Sequence, residues 1–243
     1  MDEMALSGTI ASLCTVLGAI PALLLQHVSH RGRDSLLAYT AGIMVAASTY
    51  SLIPSALKLS NMLVLTVGIL GGTLALTLME KWIPHTEPKH SFKREAVNGK
   101  SLFFLIAMGL HNLPEGLSVG VSFASEHQDL GPLVSFAIGL QNVPEGFLIA
   151  LFLISQQVGK LRTMVYSAGT SLIELGACFA GYHFTSRIHN IVPYGLAFAA
   201  GAMLFVVYKE LIPESHGDGH ERPATFAFIV GLLTMIGLTH WLR

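Results

Sequence analysis

Two ten-residue stretches carry the residue types that could do chemistry: GLHNLPEGLS at 109–118 and GLQNVPEGFL at 139–148. In a helix, His111 and Glu115 are four positions apart and share one face, as do Gln141 and Glu145. Imidazole nitrogen with carboxylate oxygen suits zinc and neighbouring first-row divalent metals. Pro114 and Pro144 withhold a backbone donor and clash with the carbonyls of Leu110 and Leu140, so a kink and a freed carbonyl are expected beside those ligands. Gly116 and Gly146 then permit close helix approach. The bland alternative is a kinked packing helix whose polar pair is satisfied internally. It has to keep a glutamate near mid-membrane in each of two helices, at ~2.5 kcal/mol or more apiece.

Other polar residues sit in apolar surroundings. Glu174 lies thirteen residues into the stretch that holds GTSLIELGACFAG (169–181), where it could complete a site or pair with a hydroxyl such as Ser171. Met44 and Met203 hold matching positions in two similar stretches, and methionine in an apolar helix is ordinarily filler. YKELIPESHGDGHE (208–221) supplies Glu210, Glu214, His216, Asp218, His220 and Glu221. That density suits a cytoplasmic exit for a metal, and equally a charged loop after a helix.

The elements that must position these residues are membrane helices. Of the 243 residues, 52% are hydrophobic and 12% charged, and mean hydropathy is +0.59. Soluble domains are about a quarter charged. The net charge of −1 gives no sign of nucleic-acid binding. Cys14 and Cys178 lie inside apolar segments and form neither a CxxC nor a disulfide framework. Eight apolar stretches approach the ~20 residues needed to cross a bilayer. They define helices 1 to 8 at about 4–26, 35–56, 61–80, 101–124, 130–154, 161–183, 191–208 and 224–242. They do not alternate as barrel strands would, and the acidic MDEM leader argues against a signal peptide.

Loop charge sets the expected orientation. Eleven lysines and arginines follow helices 1, 3, 5 and 7, against three (Lys58, Arg187 and Arg243) on the other side. The positive-inside bias puts both termini outside, extracellular or periplasmic, and the 81–100 loop in the cytoplasm. That loop, with His85 and His90, reads as a solvated linker or a metal-handling segment.

Two internal repeats follow. AMGLHNLPEG (107–116) matches AIGLQNVPEG (137–146), and AGIMVAASTYSLIPSA (41–56) matches AGAMLFVVYKELIPES (200–215). Each joins an odd helix to an even one, so the partners run oppositely through the membrane. Inverted repeats of this kind mark secondary transporters. The expected fold is therefore an all-α polytopic membrane protein of one domain, 1–243. Its eight helices form inverted repeats of helices 1–3 and 6–8 around a central 4/5 pair.

Residues HNLPEG and QNVPEG, with eight spans and outward termini, resemble the ZIP family of divalent-metal transporters. AGIMVAASTYSLIP, HNLPEGLSVGVSFA and AAGAMLFVVYKELIPESHGDGHE are similar to its compact GufA-type branch. The resemblance implies that helices 1, 4, 5 and 6 form a transport bundle moving against a scaffold of helices 2, 3, 7 and 8. It implies a metal site of His111, Glu115, Gln141 and Glu145, with Asn112, Asn142 and Glu174 bordering a second position and Met44 contributing. The chain departs from the family in three places: Gln141 where many relatives have His, Asn142 where the GufA pattern often has Asp, and Lys209 where His is common. Losing a carboxylate at Asn142 weakens the case for two metals side by side, and a cation at Lys209 repels a metal.

The expected function is uptake of Zn²⁺ into the cytoplasm by an alternating-access, elevator-like carrier in the plasma (inner) membrane. Fe²⁺, Mn²⁺ and Cd²⁺ are further candidate cargoes. No cofactor is expected, and the partners are the metal ion and the lipid bilayer, with a homodimer left open and nucleic acid excluded. A metal-selective channel is one alternative. An intramembrane metalloprotease is another, but it needs His-Glu-x-x-His on one helix, which HNLPE lacks.

Overall fold

The computed structural model describes residues 2–24, 29–82, 97–125, 127–217 and 219–241. Residues 83–96, which include His85 and His90, and Asp218 lie outside the described residues. Helix 1 is Asp2–Leu24, helix 2 His30–Leu59, helix 3 Met62–Trp82 and helix 4 Val97–Phe123. Helix 5 is Leu130–Ser155, helix 6 Lys160–Arg187, helix 7 Val192–Ser215 and helix 8 Glu221–Trp241. No strand occurs among the described residues. Six of these helices are long and apolar enough to cross a membrane. Helices 4 and 6 are not among the six; their centres carry His111, Asn112 and Glu115, and Glu174.

Polarity is distributed as a lipid solvent requires. Leu6, Leu17, Leu70, Leu172 and Leu233 stand outward, while Ser12, Thr15, Ser48, Glu115 and Gln141 are fully enclosed. Outward apolar side chains meet acyl chains, and the helices satisfy their own backbones as lipid demands. The chain is an integral membrane protein.

Helices 2 and 7 run further than their hydropathy suggests, past 56 and 208 to Leu59 and Ser215. Each passes through a Leu-Ile-Pro triplet, and a proline in a helix interior removes one hydrogen bond and crowds the carbonyl four residues back. The backbone responds by widening to a π-turn just before the proline, at Ala47–Leu52 and at Val207–Leu211. There the Ile53 N–H reaches the Ser48 carbonyl and the Ile212 N–H the Val207 carbonyl, each five residues back. Such π-bulges are frequent at functional sites. Helix 2 also starts earlier than expected, at His30, because Ser29 caps it: the Ser29 Oγ accepts the Gly32 N–H at 3.1 Å.

Helices pack in pairs through glycine. A Cβ on Gly146 of helix 5 would lie 1.9 Å from the Thr15 carbonyl oxygen of helix 1, and one on Gly116 of helix 4 would lie 2.0 Å from the Glu174 carbonyl oxygen of helix 6. The same clash, at 2.1 Å, joins Gly42 of helix 2 to Phe228 of helix 8, and Gly72 of helix 3 to Phe198 of helix 7. Small residues let backbones touch where lipid gives helices no hydrophobic reason to associate. The contacts also recur in register. Gly42 on Phe228 is matched by Gly201 on Ile69, and Gly72 on Phe198 by Gly231 on Tyr39, every equivalent pair being 159 positions apart.

Gly146→Val should therefore destabilise the protein by at least about 1–3 kcal/mol, the ordinary cost of overpacking, since the obstructing atom is backbone. Thermal unfolding in detergent checks this against Gly176→Ala, where a Cβ would meet nothing within 4 Å and the melting temperature should barely move.

Candidate metal site

Helices 4 and 5 run unbroken through Pro114 and Pro144 and bring their two motifs together. His111, Glu115 and Glu145 each offer one ligand atom, and the three atoms lie within 4.8 Å of one another. The Nε2 of His111 is 4.0 Å from Glu115 Oε1. Gln141 donates its amide N–H to the same Glu115 oxygen. All four residues are buried, His111 at 3%, Glu115 and Gln141 at 0% and Glu145 at 4% exposure.

The decisive feature is what these groups lack. Glu115 Oε2, both carboxylate oxygens of Glu145, Gln141 Oε1 and His111 Nε2 are enclosed and have no hydrogen-bond partner. Buried polar groups are otherwise bonded almost without exception, and a buried carboxylate left alone costs several kcal/mol. Two carboxylates, one imidazole nitrogen and one amide oxygen, with the Gln141 N–H as the one donor among them, are of the chemical type that suits a dication. Because Gln141 spends its N–H on Glu115, its oxygen is the atom left over for a metal.

Around this centre the other predicted residues fall into distinct settings. Asn142 donates through Nδ2 to both Glu174 oxygens at 2.9 Å and to the Ala11 carbonyl at 2.9 Å, tying helices 1, 5 and 6 together. Its counterpart Asn112 donates to the Thr170 carbonyl at 3.2 Å. The two acceptors, Ala11 and Thr170, are again 159 apart, as are Ser12 and Ser171, joined by a hydrogen bond from the Ser171 hydroxyl to the Ser12 carbonyl. Glu174 thus sits in the bundle interior, engaged by an amide rather than by Ser171. Met44 and Met203 are wholly buried, which is equally what a packing methionine shows.

The residues expected at the exit divide. Glu210 reaches the centre: its Oε2 is 3.9 Å from His111 Nδ1, so the imidazole lies between Glu115 and Glu210. Glu214 forms an ion pair with Arg33 of helix 2. His216 Nδ1 lies 2.9 Å from the Ile212 carbonyl and 3.1 Å from the Ser215 hydroxyl. His220 Nδ1 is 3.0 Å from Asp34 Oδ2. Sequence reasoning missed Arg33 and Asp34. Asp34 carried one available signal, a carboxylate at the edge of an apolar stretch, and it is only 1% exposed.

Comparison with known proteins gives the family. The family model described as ZIP Zinc transporter matches residues 81–239. The zinc transporter GufA of Myxococcus xanthus is 36% identical, over 96% of this chain and 97% of its own length. The zinc transporter ZIPB of Bordetella bronchiseptica is 34% identical, over 96% of this chain and 79% of its own. The zinc transporter ZupT of Streptococcus mutans is 30% identical, over 93% and 92%. With a metal-type donor set on paired PEG helices and likeness along nearly its whole length, the chain belongs to the ZIP zinc transporter family.

Proposed function

We propose that this protein carries Zn²⁺ across the membrane into the cytoplasm, with His111, Glu115, Glu145 and the Gln141 oxygen as the transported ion's ligands. The observation that carries this reading is the set of enclosed, donor-free ligand atoms shared by helices 4 and 5. A hydrated ion exchanges its waters for these atoms, and two carboxylates neutralise its charge, so residence near mid-membrane is not prohibitive. The ligand set has a single centre. Beside it, the Asn142 amide supplies to Glu174 the positive N–H dipoles that a second cation would otherwise supply. His plus carboxylate also suits Fe²⁺, Mn²⁺ and Cd²⁺, so these are competing cargoes.

The proposed architecture is eight membrane spans in one domain, with helices 1–3 and 6–8 as inverted repeats and helices 4 and 5 as the central pair. The constant spacing of 159 between equivalent glycine contacts supports it. Movement is proposed between helices 1, 4, 5 and 6 and helices 2, 3, 7 and 8. The glycines support this division too. Among the described residues, each glycine whose added Cβ would clash with backbone joins two helices of the same group: 1 with 5, 4 with 6, 2 with 8, 3 with 7. At the boundary, Gly195 of helix 7 meets only side chains, of Val121 at 3.0 Å and Thr185 at 3.6 Å. Meshed backbones resist sliding, whereas side-chain seams allow shear. Both termini are placed outside by loop charge, in the plasma membrane. The 81–100 loop is then cytoplasmic, and His216 and His220 stand near the exit.

A channel is the second reading, and moving groups distinguish it. In a background without native cysteines, a disulfide between Val121→Cys and Gly195→Cys should arrest uptake, because it staples the seam. Restoring Cys14 opposite Gly139→Cys, where the added Cβ lies 3.5 Å from the Cys14 sulfur, cross-links helices 1 and 5 within one group and should leave transport running. A channel would conduct through both.

Glu115→Ala and Glu145→Ala should each reduce zinc uptake into proteoliposomes to background while the protein stays folded and inserted. Unimpaired uptake in both variants overturns the site. Radiolabelled zinc in competition with a panel of divalent ions should show zinc least displaced.

A further inference from the structure

The carboxylates of this chain continue outward from the metal centre. Glu115 and Glu145 are enclosed, Glu210 lies beyond His111, and Glu214 stands one turn further along helix 7, with 38% of its side chain exposed. A dication leaving His111 thus passes from enclosed carboxylates to two half-exposed ones, Glu210 and Glu214, whose side chains are equally exposed at 38%. Taken alone, such a ladder is a poor exit, because each rung binds the ion that has to leave.

The last rung carries a fixed cation. Arg33 Nη2 is paired with Glu214 Oε1, the guanidinium side chain being 41% exposed. Its position is held from both sides in sequence. Ser29 caps the turn, accepting the Gly32 N–H on its hydroxyl and the Arg33 N–H on its carbonyl at 3.0 Å. The next residue, Asp34, is buried and bound to His220 at the start of helix 8. Both ties join helix 2 to the helix 7–8 junction, all in one of the two proposed moving groups. The pair therefore persists while helix 4, with His111, moves past it.

We propose that Arg33 is a tethered counter-cation which competes with the transported metal for Glu214 and so speeds its release. Guanidinium cannot deprotonate in this setting, so it is a permanent competitor. A half-exposed ion pair in water is weak, so an arriving dication displaces Arg33 transiently and Arg33 displaces the ion in return. A deeply buried pair would block the path, and a bare Glu214 would retain the cargo.

The repeat sharpens the assignment. At a spacing of 159, Glu210, Glu214 and Arg33 correspond to Ser51, Ser55 and Val192 at the opposite mouth. The backbone framework is shared between the two halves, but the carboxylates and the guanidinium occur at one end. Release machinery is needed at one end only.

The inference rests on the transport reading and is tested apart from it. Zinc uptake is measured in proteoliposomes for the wild type, Arg33→Gln, Arg33→Lys and Arg33→Gln/Glu214→Gln, with thermal unfolding of each. Wild-type uptake that Glu115→Ala abolishes secures the transport reading itself; its absence would overturn that reading. Given it, Arg33→Gln should lower the maximal rate about three- to tenfold and make zinc on the cytoplasmic side more inhibitory. Arg33→Lys should stay within twofold of wild type, and the double variant should recover most of the rate, because the retaining carboxylate is gone. An Arg33→Gln protein that transports at the wild-type rate, or a folded double variant no faster than Arg33→Gln, overturns the proposal. Should Arg33→Gln fail to fold, the double variant and Arg33→Lys decide: a slow, folded double variant beside a normal lysine variant counts against it.

Discussion

Two carboxylates enclosed at the middle of an apolar protein, with three of their four oxygens lacking any donor, are the constraint on which the rest depends. Lipid offers them nothing, and the one donor that reaches them is the Gln141 N–H on Glu115. Their burial has to be offset by a proton or a counter-charge. The same enclosure sets the polarity of the whole molecule, with leucines turned outward and hydroxyls inward.

Bringing eight helices close enough to build that centre requires backbone contact, and glycine supplies it. Among the described residues the backbone contacts join helix 1 with 5, 4 with 6, 2 with 8 and 3 with 7. The buried cluster comes from helices 4 and 5, and Glu210 approaches it from helix 7. The His111–Glu210 approach thus joins helix 4 to helix 7.

Superimposed on this framework is an inequality of side chains. Helices 4 and 5 carry nearly the same motif, yet His111 faces Glu210 while its partner is Gln141, whose amide is bonded to Glu115. Asn112 and Asn142 make equivalent bonds to helices 6 and 1, yet only Asn142 has a carboxylate to hold, because Thr15 occupies the position equivalent to Glu174. The π-turns of helices 2 and 7 are alike in backbone, but one carries hydroxyls and the other a glutamate. The backbone contacts are thus nearly symmetric, and the side chains placed on them are not.

What the sequence alone determined was whatever depends on composition and local spacing. Apolar runs marked the helices, since lipid solvation is a per-residue property. The i, i+4 rule put His111 with Glu115 and Gln141 with Glu145, and the recurring PEG and LIP triplets exposed the repeats. Helices 2 and 7 extend beyond their apolar stretches, because the backbone absorbs Pro54 and Pro213 in a π-turn and the helix continues into polar residues that hydropathy does not mark. Tertiary structure decided everything that rests on how helices are rotated against one another: that the Gln141 amide points to Glu115, that Asn142 holds Glu174, that Glu210 reaches His111, and that Asp34 is buried. Arg33, read in sequence as one more cytoplasmic charge, became the partner of Glu214. Periodicity gives the face of a helix but not its neighbour, and the neighbour is fixed by glycine contacts far apart in the chain.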